Sequence, residues 1–401
     1  MADESGKKAP LDGIRVIELA RVLAGPWAGQ ILADLGADVI KIENPQGGDD
    51  TRAWGPPFVE SDGRENLSAA YYHSTNRGKR SVAVDFSTPE GQDIVRRLVA
   101  GADVLIENFK LGGLKKYGLD YESLKAINPK LVYCSITGFG QDGPYAALAG
   151  YDYIVQGMSG FMSVTGAPDG EPMKAGVAIA DIFTGIYAVT AIQAALIHVM
   201  KTGVGQQVDM ALLDVMSAVL ANQNMNYLIS GRPPVRLGNA HPNISPYEVV
   251  PTADGYLILA VGNDGQFRRL CAILGLAAMA DDERFATNKA RVKERDAVRA
   301  AVTAETVRWT KADLLAACGE NAVPAGPINS IAEMFEDPQI VARQLRIDLS
   351  AADGTSIPGV RTPIVLSETP LSYHRPSPAL GEHTAEVLAE LEHTEQKRQT
   401  S

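Results

Sequence analysis

Short apolar runs alternate with helical periodicities through the first half of the chain. Residues 14–19 (IRVIEL) read as a strand, 27–35 as a helix and 37–43 (ADVIKIE) as a second strand. Residues 82–84 continue the strand pattern. Thr88-Pro89-Glu90 then opens a helix with a cap residue and a proline at the first helical position. Residues 103–107 and 131–137 supply two more strands, with helix between 111 and 127. This alternation predicts an α/β fold with a mainly parallel sheet covered by helices.

After Met200 the rhythm changes. Residues 208–211 form a short strand that leads into a helix to about 229, followed by the turn-rich connector GRPPVRLGNAHPNISP. Residues 247–251 and 256–261 then alternate as a β-hairpin about Asp254-Gly255. Helices continue to about 320, and a Pro/Gly segment covers 321–327. The pattern divides the chain into 10–229 (the first part of a large domain and a linker helix), 230–330 (a smaller α+β domain) and 331–395. The last segment, with a strand-like 363–366 and a helical 381–391, is too short to fold alone and is expected to return to the first domain.

The run AGVAIADIFTGIYAVTAIQAALIHVM holds one carboxylate, Asp181, between Lys174 and Lys201. An ionised carboxylate left unpaired in low dielectric is costly, so it is paired, capping or used. The residues after it read as a long helix, which puts Asp181 at the helix N-cap, a position that aspartate commonly fills. The run is long enough to raise the question of a membrane span. Asp181, Thr184, Gly185, Thr190 and Gln193 interrupt it and no second span accompanies it, so it reads as a buried core helix.

Composition removes several classes. The chain has 401 residues, 45% of them hydrophobic, which suffices for two domains with a substantial core. Its net charge of -11 argues against nonspecific nucleic-acid binding and against an anionic membrane surface. Cys134, Cys271 and Cys318 lie far apart with no CxxC, so neither a disulfide framework nor a zinc or other metal site is expected. MADESGKKAP lacks the apolar core of a signal peptide, and the expectation is a cytoplasmic protein.

The opening strand, turn and helix resemble a dinucleotide-binding unit, with Glu43 ending the second strand where a ribose-binding acid would stand. The turn, however, reads Ala24-Gly25-Pro26-Trp27-Ala28-Gly29, which is not GxGxxG. Pro26 lacks an N–H and Trp27 is bulky where a pyrophosphate needs close backbone, so NAD and FAD are rejected.

Beyond this point the chain resembles the class III CoA-transferase (CaiB/BaiF) family along nearly its whole length. The matching segments include LDGIRVIELARVLAGPWAGQILADLGADVIKIENPQGGD, NRGKRSVAVDFSTPEG and ADVLIENFKLGGLKKYGLDYESL. GYDYIVQGMSG, AGVAIADIFTGIYAVTAIQAAL, KTGVGQQVDMALLDV and LGEHTAEVL continue it. Each is weak alone, and their order and spacing carry the match. The resemblance implies a Rossmann-like large domain, a small domain and an interlocked homodimer, with each site between the large domain of one subunit and the small domain of the other.

It also implies chemistry. The family's nucleophile stands at Asp181, which attacks an acyl-CoA thioester to give an acyl-aspartyl anhydride and CoA thiolate. Thiolate then makes an aspartyl-CoA thioester, which the acceptor carboxylate opens before CoA passes to the acceptor acid. An apolar pocket suits this step because it strips solvent from the carboxylate, and a helix N-terminus keeps it ionised. No permanently bound cofactor is implied, only CoA and its esters as substrates. By resemblance CoA meets Val22, Leu23 and Ala24, then Val84, Phe86 and Ser87, then Asn108, Phe109, Lys110 and Lys116, and finally Thr137, Gly138, Phe139 and Gly140. Two basic clusters, Arg77/Lys79/Arg80 and Lys110/Lys115/Lys116, are candidates for its phosphates.

Acyl-CoA racemases share the fold and exchange an α-proton between a histidine and an aspartate. Tyr151 occupies the histidine's place, so the transferase is favoured over the racemase, and intact Asp181 speaks against a non-catalytic CoA-binding protein. Leu23, where formyl-CoA transferases carry glutamine, and His241-Pro-Asn-Ile-Ser-Pro246, where they carry a glycine-rich loop, make formyl transfer doubtful. GNDGQF and RFATNKARVKER look like members that use succinyl-CoA and dicarboxylic acids. A distal carboxylate calls for an arginine fork, for which Arg77 and Arg291 are the candidates. Tyr151 and His241 complete the expected substrate contacts.

Overall fold

A computed structural model describes residues 7–61 and 64–400. The chain forms two compact units. The first runs up to Phe161 and adds Ala175–Met225 and everything from Val341; the second comprises Met162–Lys174 and Asn226–Ile340. Residues 162–174 thus fold with the second unit, although sequence periodicity leaves them in the large domain.

The first unit is built on six parallel strands: β1 (Arg15–Glu18), β2 (Asp38–Glu43), β3 (Arg80–Ala83), β4 (Val104–Glu107), β5 (Val132–Thr137) and β6 (Gln206–Ala211). Their order is β3-β2-β1-β4-β5-β6, with Ile17 opposite both Ile40 and Leu105. The order reverses direction between β1 and β4, which opens the crevice where α/β sheets of this kind bind ligands. Successive side chains of a strand point to opposite faces. Val16, Val104, Ile106, Val132 and Cys134 join one buried cluster, while Ile17, Ile40, Leu105 and Tyr133 join another. Burial on both faces is why the strands read as continuous apolar runs rather than alternating ones.

Helices α1 (Ala24–Asp34) and α5 (Ile179–Thr202) cover the first face. Helix α2 (Pro89–Val99) covers the second, with Thr88 capping it and Pro89 opening it as its sequence requires. Helices α3 (Tyr121–Ile127) and α4 (Asp152–Met158) are short, and of residues 111–120, where helix was expected, only Lys115–Tyr117 form a single 3-10 turn. Among the described residues, α5 is the one helix long and apolar enough to cross a membrane. Ala180, Ala188, Ile192 and Ala195 pack it into the core, while Ile186, Tyr187, Ile197 and Met200 face outward.

The C-terminal segment packs on the same unit. Arg80 binds Glu386 and Glu390, the Ala83 N–H donates to the Thr384 hydroxyl at 3.0 Å, and Val387 enters the second cluster. A hairpin, Arg346–Ser350 with Ser356–Val360, precedes it; the strand expected at 363–366 is absent.

The second unit holds an antiparallel sheet in which Gly255–Ala260 lies between Tyr247–Thr252 and Ala325–Pro327. Leu257, Leu259, Phe267, Leu270, Val298 and Leu314 form its core.

Candidate active site

Asp181 does not cap its helix. The cap position is Ala178, at φ -75° and ψ 71° and with no side-chain bond, and Asp181 stands in the first turn behind it. The capping carboxylate comes from elsewhere: Asp152, the first residue of α4, accepts the Ala180 N–H at 2.8 Å. Its other oxygen accepts the Gln156 amide at 2.7 Å, and the Gln156 oxygen takes the Ala175 N–H at 2.8 Å. One side-chain pair therefore pins both ends of the stretch that delivers Asp181. Because Asp152 satisfies the helix end, the Asp181 carboxylate is left without a hydrogen bond or ion pair among the described residues.

Burial first, and then the charge on Asp152, push the Asp181 carboxyl up to about 7. A carboxylate in that state is partly stripped of water and half ionised at neutrality, as a nucleophile requires. Tyr71 stands within electrostatic reach: burial raises its phenol, and Asp181 and Asp152 raise it further. The Trp54 ring meets Tyr71 edge-on at 5.4 Å. One turn after Asp181, Gly185 allows α1 and α5 to touch. A Cβ there would come within 2.8 Å of the Ala24 carbonyl oxygen and 2.9 Å of the Trp27 ring. Tyr71, Trp54, Asp152 and Gln156 escaped the sequence reading as site residues, and Trp27 entered it only as a side chain too bulky for a pyrophosphate turn. The i, i+4 spacing of Asp152 and Gln156 was the one signal available for them.

The CoA-type positions collect at the carboxyl ends of β1, β3, β4 and β5. Val22 adopts a left-handed conformation, and Leu23 and Ala24 start α1. Val84 and Ser87 lie in the turn after β3, and Phe86 packs edge-on against Phe109 at 5.8 Å. Asn108 accepts the Arg21 N–H at 2.9 Å and donates to its carbonyl at 2.7 Å, which ties the β4 end to the β1 end. Lys110 and Lys116 are exposed, with the Lys116 ammonium 4.6 Å from the Tyr117 ring centre. Thr137–Gly140 form a turn in which the Thr137 hydroxyl accepts the Gly140 N–H at 2.9 Å; Gly138 and Phe139 lie inside it. Of the two basic clusters, Lys110, Lys115 and Lys116 are open to solvent.

The other cluster is interior. Lys79 is fully buried on Glu18, and Arg80 is held by Asp38. Arg77 forms a two-pronged pair with Asp34 at 3.0 and 2.7 Å and donates its remaining edge to the Val360 carbonyl. Its fork is not free for a substrate carboxylate. Arg291 is 0% exposed and donates to Ser245, Phe285 and Asp264 within its own unit, over the Phe267 ring. Both arginines are structural ion pairs, contrary to the sequence expectation. Tyr151, at the start of α4, is 68% exposed. His241, in the second unit, accepts the Asn243 N–H at 3.1 Å and packs on Tyr247.

Comparison with known proteins gives the family. The model of CoA-transferase family III matches residues 11–384. A succinate–glutarate CoA-transferase from Agrobacterium fabrum is 77% identical over 392 residues, 98% of each chain. The succinyl-CoA:glutarate CoA-transferase of Homo sapiens is 40% identical over 384 residues, 95% of this chain and 86% of that one. Among solved structures, a CAIB/BAIF family protein from Brucella suis superposes with a TM-score of 0.86 at 60% identity, covering 96% of this chain and 100% of that one. From its first strand to the start of its closing helix, the chain belongs to CoA-transferase family III.

Proposed function

We propose that the protein moves CoA from succinyl-CoA to a dicarboxylic acid, with glutarate as the first acceptor to test. The observation that carries this reading is the unpaired Asp181 carboxylate, raised to about 7 and presented by a helix end that another carboxylate caps. The A. fabrum succinate–glutarate CoA-transferase and the human succinyl-CoA:glutarate CoA-transferase supply the choice of donor and acceptor.

In this reading ionised Asp181 adds to the thioester carbonyl and expels CoA thiolate. The thiolate returns to the aspartyl carbonyl, releasing succinate and leaving an aspartyl-CoA thioester. The acceptor carboxylate opens that thioester, and thiolate takes the acceptor's acyl group, restoring Asp181. Asp152 and Gln156 hold the nucleophile's backbone without occupying its side chain. The turns after β1, β3, β4 and β5 cradle CoA, with Lys110 and Lys116 near its phosphates. Tyr151 and His241 remain the substrate contacts assigned by resemblance. The outward face of α5 suits an interlocked homodimer in which a partner's small domain completes the site. We place the enzyme in the cytoplasm, where its three buried free thiols stay reduced.

Racemisation is the weaker alternative, since Tyr151 offers no imidazole and Asp152 is committed to Ala180 and Gln156. The test incubates the protein with succinyl-CoA and a panel of acids, reading new thioesters by mass spectrometry. Hydroxylamine trapping should mark Asp181. Transfer that never labels Asp181 defeats the mechanism. No transfer, with α-deuterium exchange instead, defeats the function.

A further inference from the structure

The turn between β1 and α1 contains an anomaly that the transfer chemistry leaves unexplained. Val22 has φ +72°. Four non-glycine residues among those described have positive φ, and Val22 is the β-branched one, for which that region is a genuine outlier. Such backbone persists only where the surroundings over-determine it, and it concentrates at functional sites.

The surroundings here do so residue by residue. The Ala20 carbonyl accepts the Lys41 ammonium at 2.7 Å. Arg21 is bonded at both its N–H and its carbonyl by the Asn108 amide. The Val22 N–H donates to both oxygens of Asp49 at 3.2 Å each. Three consecutive residues are thus gripped by three side chains, from β2, from the loop after β2 and from the residue that follows β4.

Asp49 is the anchor. It is 1% exposed and accepts the Thr51 N–H at 3.0 Å and the Thr51 hydroxyl at 2.8 Å, and it pairs with Lys41 at 2.9 Å. Lys41, also buried, reaches Glu18 at 3.0 Å. Burial alone would push the Asp49 carboxyl up; the Lys41 ammonium and the Thr51 donors outweigh it and hold it below the usual carboxylate range. The anchor therefore stays charged at working pH. Immediately after Val22 come Leu23 and Ala24, and the Ala24 carbonyl lies against Gly185, one turn beyond Asp181. The conformation of Val22 thus sets where the start of α1 meets the nucleophile's helix.

We propose that Asp49, charged and fixed by Lys41, is a positioning residue for CoA transfer. It holds Val22 in the left-handed conformation, and so holds the β1–α1 turn in the shape that receives the CoA thioester. The proposal rests on the reading that this turn binds CoA. Asp49 touches no substrate and acts through Val22.

The test is a double-variant cycle of the wild type, Asp49→Asn, Val22→Gly and Asp49→Asn/Val22→Gly. Asparagine keeps the shape but sets an NH2 against donors and loses the charge facing Lys41. It should raise KM for succinyl-CoA about tenfold in the Val22 background, the scale of one lost hydrogen bond to a charged group. Glycine adopts positive φ without strain, so Asp49→Asn should raise KM much less in the Val22→Gly background, whatever Val22→Gly alone does to CoA contact. A purely structural ion pair would lose stability and change KM by the same factor in both backgrounds.

An amide-to-ester replacement at residue 22 removes the N–H and leaves Asp49 intact. It covers the case in which Asp49→Asn fails to fold, and it should raise KM by a similar factor. Unchanged KM in the ester, or an equal KM rise from Asp49→Asn in both backgrounds, overturns the proposal. If the wild type transfers no CoA between succinate and glutarate, the functional reading falls. Calorimetric titration with CoA then decides the clamp separately, because the ester protein must bind CoA more weakly than the wild type.

Discussion

Asp152→Asn separates the two roles of Asp152, capping α5 and raising the Asp181 carboxyl. Asparagine can still accept the Ala180 N–H, so the helix end stays capped, but the negative charge beside Asp181 is gone. Burial is the larger cause of the rise from 3.8 to about 7, and the Asp152 charge the smaller. Removing the smaller part lowers the Asp181 carboxyl. With the group at about 7, roughly a tenth of the enzyme is ionised at pH 6 and nine-tenths at pH 8. Lowering it raises the ionised fraction at pH 6 and changes little at pH 8. The ratio of kcat/KM at pH 6 to that at pH 8 should therefore rise in the variant, with a ceiling of about tenfold at full ionisation. Absolute activity falls at both pH values because the Gln156 amide loses its charged acceptor. The assay is thioester exchange between succinyl-CoA and glutarate across pH 5.5 to 8.5, with hydroxylamine labelling of Asp181 as a second readout. An acid limb that stays in place, or that moves to higher pH, refutes the electrostatic reasoning.

Asp181→Asn should abolish transfer and change stability in a pH-dependent way. A carboxyl raised from 3.8 to about 7 favours the folded state fully below about 4, and that contribution is lost as pH rises through about 7. The variant should melt higher than the wild type at pH 8, by the equivalent of about 2–4 kcal/mol before solvent screening is discounted, and nearly level with it at pH 4. Equal melting shifts at both pH values would contradict this. Arg77→Ala leaves the buried Asp34 carboxylate unpaired and should cost about 3–5 kcal/mol by chemical denaturation; Arg291→Ala leaves the exposed Asp264 in water but takes the donor from the Ser245 and Phe285 carbonyls, at about 1–3 kcal/mol each. KM for glutarate should be unchanged in whatever protein folds; a selective rise in KM would restore the arginines to the substrate site. Gly185→Ala places a Cβ against Ala24 and Trp27, and should cost about 1–3 kcal/mol while lowering kcat more than it raises KM.

Which features were legible in the sequence follows from how far apart the interacting residues lie. The parallel strands were readable because burial on both faces writes itself into consecutive apolar residues such as Val16-Ile17 and Leu105-Ile106. Thr88-Pro89 announced α2 because a cap and its helix are neighbours in sequence. The Arg346–Ser350/Ser356–Val360 hairpin was missed although Arg346–Ser350 alternates polar and apolar, because each strand is only five residues long and most of them are solvent-facing. Arg77 looked available because its partner Asp34 lies 43 residues earlier, on α1. Composition reports that a guanidinium exists, not whether its fork is filled.

The same limit explains the misplacement of Asp181 at the N-cap, and the correction carries mechanistic weight. An N-cap aspartate would spend its oxygens on backbone N–H groups, and such bonds lower a carboxyl's pKa and its nucleophilicity together. The structure instead assigns the capping to Asp152, 28 residues before Ala180. The helix end is satisfied without consuming the Asp181 carboxylate, and the capping charge itself raises that carboxylate. A single substitution thus links the two: replacing the cap must shift the nucleophile's titration even though the two side chains share no hydrogen bond. Had Asp181 been its own cap, Asp152→Asn would leave the acid limb where it is, so the pH profile of that variant decides between the two arrangements.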